Sequence, residues 1–319
     1  MRNGSRKTRL AALALAAVVA AGVLASGVWA AKPRALKGTI SADGSSTVGP
    51  WTTAAAEAFQ RKNRSVRITV GVSGTGGGFE RFCRGETDLS NASRPIKNSE
   101  HLTCRENDVR WLALTVANDG ITVVVNRDNT WVDCLTTAEL KKIWDTGSNV
   151  DSWNDVRAGF PNVPLKLFGP GTDSGTFDFF TEVVNGKSRR SRSDYQASED
   201  DNVLVQGVAG ERGGLGYFGL SYYEENRSRL KALRIDNGGG CVAPSVRTVQ
   251  AGTYKPLARP LFIYAKRSSF RRPAVAAFLG YALNNQGAIA RRSAYVPLTA
   301  SQARKARGSF QRALTQAFG

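Results

Sequence analysis

The chain has 319 residues, of which 41% are hydrophobic and 22% charged, proportions typical of a soluble globular protein. Its length allows one large domain or two medium ones. With 44 basic and 26 acidic residues, the formal net charge is +18 at pH 7. Beyond the first thirty residues no apolar run is long enough to cross a bilayer, which excludes a multi-span membrane protein.

The first thirty residues have the pattern of a secretory signal peptide. A basic segment with Arg2, Arg6, Lys7 and Arg9 precedes an uncharged apolar run, which ends in a small-x-small motif at residues 28–30. We therefore predict a signal peptide over 1–30, cleaved after Ala30, and export to the periplasm, the cell surface or the medium. An uncleaved membrane anchor is the alternative. No cysteine lies near the cleavage point, so a lipid anchor is not expected.

Strand and helix patterns alternate through the rest of the chain. Helices are predicted at 49–63, 76–86, 136–144, 200–210, 221–229, 271–285 and 300–317, and directly after the segment 169–176. Strands are predicted at 66–74, 88–91, 111–126, 165–170, 214–220 and 260–266. Such repeated β–turn–α units indicate an α/β fold with mostly parallel sheets.

Four segments with the pattern of strand-exit loops share one composition of glycine, serine and threonine. They are DGSSTVGP (43–50), GVSGTGGG (71–78), SNASRP (90–95) and GPGTDSGT (169–176). Ligands of open α/β sheets bind beyond the carboxyl ends of the strands, and the free N–H groups at a helix start attract anions. Taken alone, 169–176 is more simply a helix start capped by Asp173 or Ser174. The four loops together indicate one shared pocket for a buried polar anion.

The four cysteines are Cys83, Cys104, Cys134 and Cys241. An even number in an exported protein indicates disulfides, and their spacing is not that of a zinc site. Three pairings are possible, and we expect Cys83–Cys104 with Cys134–Cys241. No metal site and no cofactor is expected.

The C-terminal part of the chain is basic and lacks carboxylates. Residues 237–319 contain no Asp or Glu and thirteen Arg or Lys, and the chain without its leader keeps 40 basic against 26 acidic residues, a net +14. Such a charge raises the local concentration of anions. It could equally hold the protein to an acidic cell envelope or solvate helix faces. No nucleic-acid partner is expected for an exported protein.

Five segments resemble a known family when they are taken in order. SADGSSTVGPW, GVSGTGGGFERFCRGETDLSNASRPI, GPGTDSGTFDFFTEVV, GGLGYFGLSYY and YKPLARPLFIYAK are similar to the periplasmic phosphate-binding proteins of Pst-type ABC transporters, from about residue 38 to the C-terminus. The resemblance implies a two-lobe, type II periplasmic binding fold with a central ligand cleft and a two-segment hinge. It implies a first lobe of 38–118 plus 237–319 and a second of 119–236.

The resemblance also implies a ligand set. Ser46 and Thr47, then Gly74 and Thr75, and then Ser93 fall on the three phosphate-binding loops of the first lobe, and Ser174, Gly175 and Thr176 match the segment that closes from the second lobe. Two family residues are missing here: Ser93 stands where an aspartate accepts the phosphate proton, and no arginine precedes the SGT segment. Arg94 is our hypothesis for the positive charge and Asp173 for the acceptor.

The expected function is capture of inorganic phosphate by lobe closure, by a monomer that delivers it to the membrane permease of an ABC transporter. The alternatives are a binder of another tetrahedral oxyanion, such as sulfate or arsenate, and a basic surface protein that binds acidic envelope polymers. An enzyme is not expected. His101 is the one histidine and no G-x-S-x-G elbow accompanies it, while the GKS at 186–188 lacks the first P-loop glycine.

Overall fold

A computed structural model describes residues 35–318, so the predicted signal peptide lies outside the described residues. The strands are β1 (Gly38–Gly44), β2 (Val66–Val70), β3 (Leu89–Ala92), β4 (Trp111–Asn126), β5 (Cys134–Thr136), β6 (Lys166–Pro170), β7 (Gln196–Ser198), β8 (Gly214–Gly219), β9 (Leu230–Ala232), β10 (Arg234–Asp236), β11 (Cys241–Val242) and β12 (Ala258–Lys266).

The helices alternate with these strands. They are α1 (Gly49–Gln60), α2 (Gly74–Cys83), α3 (Asn98–Glu106), α4 (Thr137–Trp144), α5 (Trp153–Val156), α6 (Gly175–Asn185), α7 (Asp201–Gly210), α8 (Leu220–Glu225), α9 (Val246–Gln250), α10 (Pro273–Asn284), α11 (Gln286–Arg292) and α12 (Ala300–Phe318), with a 3-10 segment at Arg267–Arg271. Within residues 35–318, none of the helices combines the length and apolar character that a membrane span requires.

Nine strands form one continuous sheet in the order β2-β1-β3-β12-β4-β8-β6-β7, with β9 also paired to β4. The pairs β1–β2, β1–β3, β6–β7 and β6–β8 are parallel, whereas β12 and β4 run antiparallel to each other and to their outer neighbours. The prediction of mostly parallel sheets is therefore wrong, and the sheet is mixed. Helical crossovers give parallel pairs inside each half, but the two strands that connect the halves reverse the direction.

The strand β4 joins the two halves of the molecule. Its first part pairs with β12, from Trp111 opposite Lys266 to Gly120 opposite Ala258, and its second part pairs with β8 and β9. The chain thus passes between the halves along β4 and returns along β12. This arrangement confirms the predicted two-lobe α/β fold with two connecting segments.

Each half has its own hydrophobic core. The first core holds Trp51, Phe59, Phe278 and Phe310, from α1, α10 and α12 against the sheet, and the second holds Trp144, Trp153, Phe180 and Tyr217. Residues 249, 254 and 257 pack in the second core. On this packing we place the return to the first lobe at about residue 258, some twenty residues beyond the predicted start at 237.

Two disulfides connect neighbouring elements. Cys83 at the end of α2 is bonded to Cys104 in α3, and both are buried. Cys134 of β5 is bonded to Cys241 of β11, which belongs to the same small sheet, β11-β10-β5. The second bond closes a loop of 107 residues and ties the end of the second lobe back to its beginning.

Candidate functional site

A polar cavity of about 240 Å³ lies where the two lobes meet. The first lobe contributes the loops that follow β1, β2 and β3, because the carboxyl ends of these parallel strands lie at the same edge of the sheet. The second lobe contributes residues of α6 and Ser188. Arg259 reaches the cavity from β12, one of the two connecting strands.

The loops of the first lobe present hydroxyl and backbone groups to this cavity. Its lining includes six of the predicted residues, namely Ser46, Thr47, Gly74, Thr75, Ser93 and Arg94. Thr75 Oγ1 and Ser93 Oγ are 3.1 Å apart, and the Ser93 N–H donates to Thr75 Oγ1 at 3.3 Å, so the second and third loops are joined. The cavity therefore has a continuous wall of small donors, as an anion site requires.

The segment at 173–176 borders the cavity from outside its lining. Ser174 is the N-cap of α6, with its hydroxyl accepting from the Thr176 N–H at 3.1 Å. Thr47 of the first lobe donates its hydroxyl to the Gly175 carbonyl at 3.1 Å, which holds the lobes together. Asp173 is exposed, and its N–H donates to Glu199 at 3.2 Å. None of these four second-lobe residues lines the cavity in the described structure.

Arg94 lines the cavity with its charge already paired. Its guanidinium makes two hydrogen bonds to the Glu100 carboxylate, at 2.7 and 2.9 Å. Burial alone would raise the pKa of Glu100, but the bonds from Arg94 and from the Lys97 N–H outweigh it and lower that pKa. Arg94 therefore brings little uncompensated positive charge to a ligand, and Lys97 beside it is a second cation of the lining.

Arg259 is a largely buried cation of the site, with 11% of its side chain exposed, and the predicted ligand set does not include it. It lies opposite Asp119 in the pairing of β12 with β4. Its terminal nitrogen donates to Thr47 Oγ1 at 2.8 Å, and its guanidinium carbon lies 3.5 Å from the centre of the Phe179 ring. Arg259 thus contacts a loop of the first lobe and a helix of the second.

The pairing of Arg259 with Asp119 is incomplete. The Nε atom is 3.5 Å from Asp119 Oδ2, which is long for a hydrogen bond, and both atoms lack another partner among the described residues. Burial lowers the pKa of Arg259 and raises that of Asp119. A guanidinium is not deprotonated in proteins, so Arg259 remains a cation. A largely buried cation with an unused N–H donor favours an anionic ligand beside it.

Two carboxylates also line the cavity, Asp178 and Glu182, both on α6. Asp178 accepts from Ser46 Oγ at 3.4 Å and from Arg189 Nε at 3.1 Å. The first of these bonds again joins the two lobes. The predicted ligand set ends at Thr176 and does not include these residues, although both follow the SGT segment at helical spacing. Within residues 35–318 no cluster of His, Cys, Asp or Glu is placed to hold a metal ion.

Comparison with protein families and sequences places this chain among binding proteins. A family model described as a PBP superfamily domain matches residues 30–286. Protein SphX of Synechococcus elongatus is 51% identical over 274 residues, which cover 85% of this chain and 80% of that protein. The phosphate-binding protein PstS of Staphylococcus saprophyticus is 38% identical over 266 residues, covering 82% of this chain and 81% of that protein.

Two solved structures also match this chain. A possible phosphate binding protein from Planctomyces limnophilus superposes with a TM-score of 0.84 at 46% identity, covering 88% of this chain and 99% of that one. A putative phosphate ABC transporter substrate-binding protein from Clostridium perfringens, with bound phosphate, superposes with a TM-score of 0.57 at 25% identity and covers 82% of this chain and all of that one.

Proposed function

Because this chain belongs to the periplasmic phosphate-binding proteins of Pst-type ABC transporters, within the PBP superfamily, we propose that it captures inorganic phosphate outside the cytoplasm and delivers it to a membrane permease. The observation that carries the proposal is the largely buried, incompletely paired Arg259, which faces a cavity lined by hydroxyl and backbone groups of the three first-lobe loops.

The ligand contacts follow from the groups in the lining. A dianion leaves water only if many donors replace its hydration. Hydroxyl groups come from Ser46, Thr47, Thr75 and Ser93. Gly74 lines the cavity at the start of α2, where the free backbone N–H groups favour an anion. In place of the hypothesis that rested on Arg94, we propose Arg259 as the main charge partner. Its planar guanidinium suits two oxygens of one phosphate.

Selectivity for phosphate would come from a carboxylate that accepts the phosphate proton. Sulfate brings no proton, so the same carboxylate repels it. Ser93 holds the position where the family has an aspartate, and Asp173 is exposed outside the lining. We assign the acceptor role to Asp178, which lines the cavity and already contacts Ser46 across the cleft.

Capture would proceed by lobe closure, with Ser174, Gly175 and Thr176 closing onto the loop at Ser46 and Thr47. We propose that the chain works as a monomer, with the ABC permease as its partner and without a cofactor or a chemical step. The family relatives bear phosphate-binding names and not the names of enzymes. Export agrees with the predicted leader at residues 1–30.

The test is calorimetric titration of the mature, ligand-free protein, first with phosphate and then with sulfate. One phosphate per chain, bound in the micromolar range or tighter, with much weaker sulfate binding, is the expected result. Equal binding of phosphate and sulfate would make the cavity a general oxyanion site, which is the first alternative. Absence of binding to both would overturn the proposal and favour the polymer-binding alternative.

A further inference from the structure

A second cavity lies in the first lobe, apart from the cavity between the lobes. Its volume is about 850 Å³, and it shares no lining residue with the cavity between the lobes. Three elements form it: the second half of α3 with the turn into β4, the 3-10 segment at Arg267–Arg271, and the last turns of α12.

The lining of this cavity is strongly basic. It carries four arginines, Arg105, Arg110, Arg267 and Arg271, against a single carboxylate, Asp108. In residues 35–318 none of these arginines lies within ion-pair distance of a carboxylate, although eleven other arginines of this part of the chain do. Mutual repulsion of four such charges is unfavourable unless an anion offsets it. Four arginines against one carboxylate leave the lining with three excess positive charges.

One of the four arginines is held in place by the walls. Arg267 donates from Nε to the Trp111 carbonyl at 3.3 Å and from a terminal nitrogen to Gln316 Oε1 at 2.8 Å. Trp111 is itself packed edge to face against His101, with ring centres 5.7 Å apart. Arg105, Arg110 and Arg271 are exposed around this fixed cation. The site therefore has an ordered floor and a rim of adaptable guanidinium groups.

From this arrangement we propose that the cavity binds a short chain of linked phosphate groups, an oligophosphate. Guanidinium groups match the oxygens of phosphate in pairs, and several guanidinium groups in one cavity match several phosphates along a chain. A single orthophosphate would fill little of 850 Å³ and would meet only part of the charge. The acid-free C-terminal segment supplies Arg267 and Arg271, so this site uses basic residues that the phosphate cavity does not.

The test is titration with sodium tripolyphosphate of protein already saturated with orthophosphate, at 150 mM salt. Saturation removes competition at the cavity between the lobes, and a protein that fails to bind orthophosphate can still be titrated with tripolyphosphate alone. The two proposals therefore fail or succeed separately. We expect one tripolyphosphate per chain, bound at least tenfold more tightly than further orthophosphate.

The site is located with the pair R110Q/R271Q, whose side chains make no hydrogen bond or ion pair within the described residues. The matched control is R61Q/R67Q, which removes two exposed, unpaired arginines of the same lobe and the same net charge. We expect at least a tenfold loss of tripolyphosphate affinity in the first variant and less than twofold in the control. Retained orthophosphate binding, or an unchanged circular dichroism spectrum, shows that each variant is folded.

Two results would overturn the inference. One is absence of tripolyphosphate binding by the wild-type protein at millimolar concentration. The other is an equal loss of affinity in R110Q/R271Q and R61Q/R67Q, which would assign the binding to net charge and not to this cavity.

Discussion

The backbone of Gly175 in the second lobe lies directly against Thr47 of the first lobe. A Cβ atom built on Gly175 would be 2.5 Å from both the Thr47 backbone nitrogen and the Thr47 Oγ1, and 2.6 Å from its Cα. Such distances do not occur between real Cβ atoms and backbone. The contact exists only because residue 175 has no side chain, so the closed arrangement of the lobes depends on this glycine.

The first prediction is that Gly175→Ala impairs phosphate binding without unfolding the protein. Overpacking of this kind costs about 1–3 kcal/mol, which corresponds to an affinity loss of roughly 5- to 150-fold if the cost falls on closure. Calorimetric titration measures the affinity, and thermal unfolding without ligand measures stability. Gly210→Ala is the control, because no atom lies within 4 Å of its Cβ position. Equal affinities in the two variants would contradict closure through this contact.

The second prediction concerns the charge of Arg259. Replacing Arg259 alone would leave Asp119 buried without a partner and destabilise the fold. The double variant D119N/R259M removes both charges and isolates the effect on the ligand. A hydrogen bond to a charged group contributes about 1.5–3 kcal/mol, so we expect phosphate affinity to fall by roughly 10- to 150-fold.

Two further variants make this measurement specific. Arg259→Lys keeps a cation but loses the planar contact with Phe179, and its phosphate affinity should lie between the wild type and the double variant. Arg61→Met removes an exposed arginine and should leave affinity unchanged. If D119N/R259M binds phosphate as tightly as Arg61→Met does, Arg259 is not the charge partner.

The third prediction separates Asp178 from Asp173 as the acceptor of the phosphate proton. In Asp178→Asn the amide presents a donor where a carboxylate repelled sulfate, so sulfate should bind more tightly and phosphate less tightly. Asp173→Asn changes an exposed residue outside the cavity lining and should leave the phosphate-to-sulfate ratio unchanged. The opposite outcome, with the ratio altered only by the change at Asp173, would return the role to that residue.

The sequence patterns identified the first-lobe loops because each loop carries its own local signal. Glycine, serine and threonine follow a strand directly in DGSSTV, SGTGGG and SNAS, and the sheet then brings the three strand ends together. Arg259 carries no such signal. It stands inside an apolar strand, more than 200 residues after Thr47, and only the pairing of β12 with β4 and β3 brings it to the cavity.

The helix α3 was missed for a different reason. Asn98–Glu106 buries only Cys104, so its sequence shows no apolar stripe from which a helix is inferred. The helix is held by the disulfide to Cys83 and by Glu100, which accepts from the Lys97 N–H at 2.8 Å at its start. These are tertiary and capping contacts. By contrast, a helix was predicted at 136–144, where Thr136 and Glu139 form a capping box whose four-residue pattern is visible in the sequence.

The fourth prediction is a pH dependence of stability that arises from Asp201. Burial, followed by the charges of Asp200 and Glu199, raises the pKa of Asp201 to about 6. In the unfolded chain its pKa is about 3.9. Between these values the folded state holds more protons than the unfolded state, so this residue makes stability fall as pH rises from about 4 to 6, and the loss is complete above 6.

Asp201→Asn removes this effect. A pKa difference of about two between the folded and unfolded states corresponds to at most about 3 kcal/mol, and because the side chain is only partly buried we expect roughly 1–2 kcal/mol. Urea unfolding at pH 4 and pH 7.5 measures it: the variant should gain stability over the wild type at pH 7.5 and little at pH 4. A gain of equal size at the two pH values would show that the charge of Asp201 is not the cause.

The fifth prediction is that the two disulfides differ in reactivity and in their contribution to stability. Cys241 is exposed and Cys134 is half-buried, whereas Cys83 and Cys104 are buried. A mild reductant should therefore open Cys134–Cys241 first, as seen by alkylation and mass spectrometry of the folded protein. Loss of this bond frees a loop of 107 residues, against 21 for the other. Chain entropy predicts costs of about 4.7 and about 3 kcal/mol for loops of such lengths.

Comparison of C134A/C241A with C83A/C104A in urea unfolding tests this difference, because each pair of changes removes one bond and leaves no free thiol. On loop length alone, we expect C134A/C241A to be the less stable of the two variants. The buried bond, however, also loses packing around Cys83 and Cys104 when alanine replaces cysteine. C83A/C104A could instead prove the less stable variant, even though its bond resists reduction longer. That result would show that packing in the small core around α2 and α3 contributes more to stability than the difference in loop length between the two bonds.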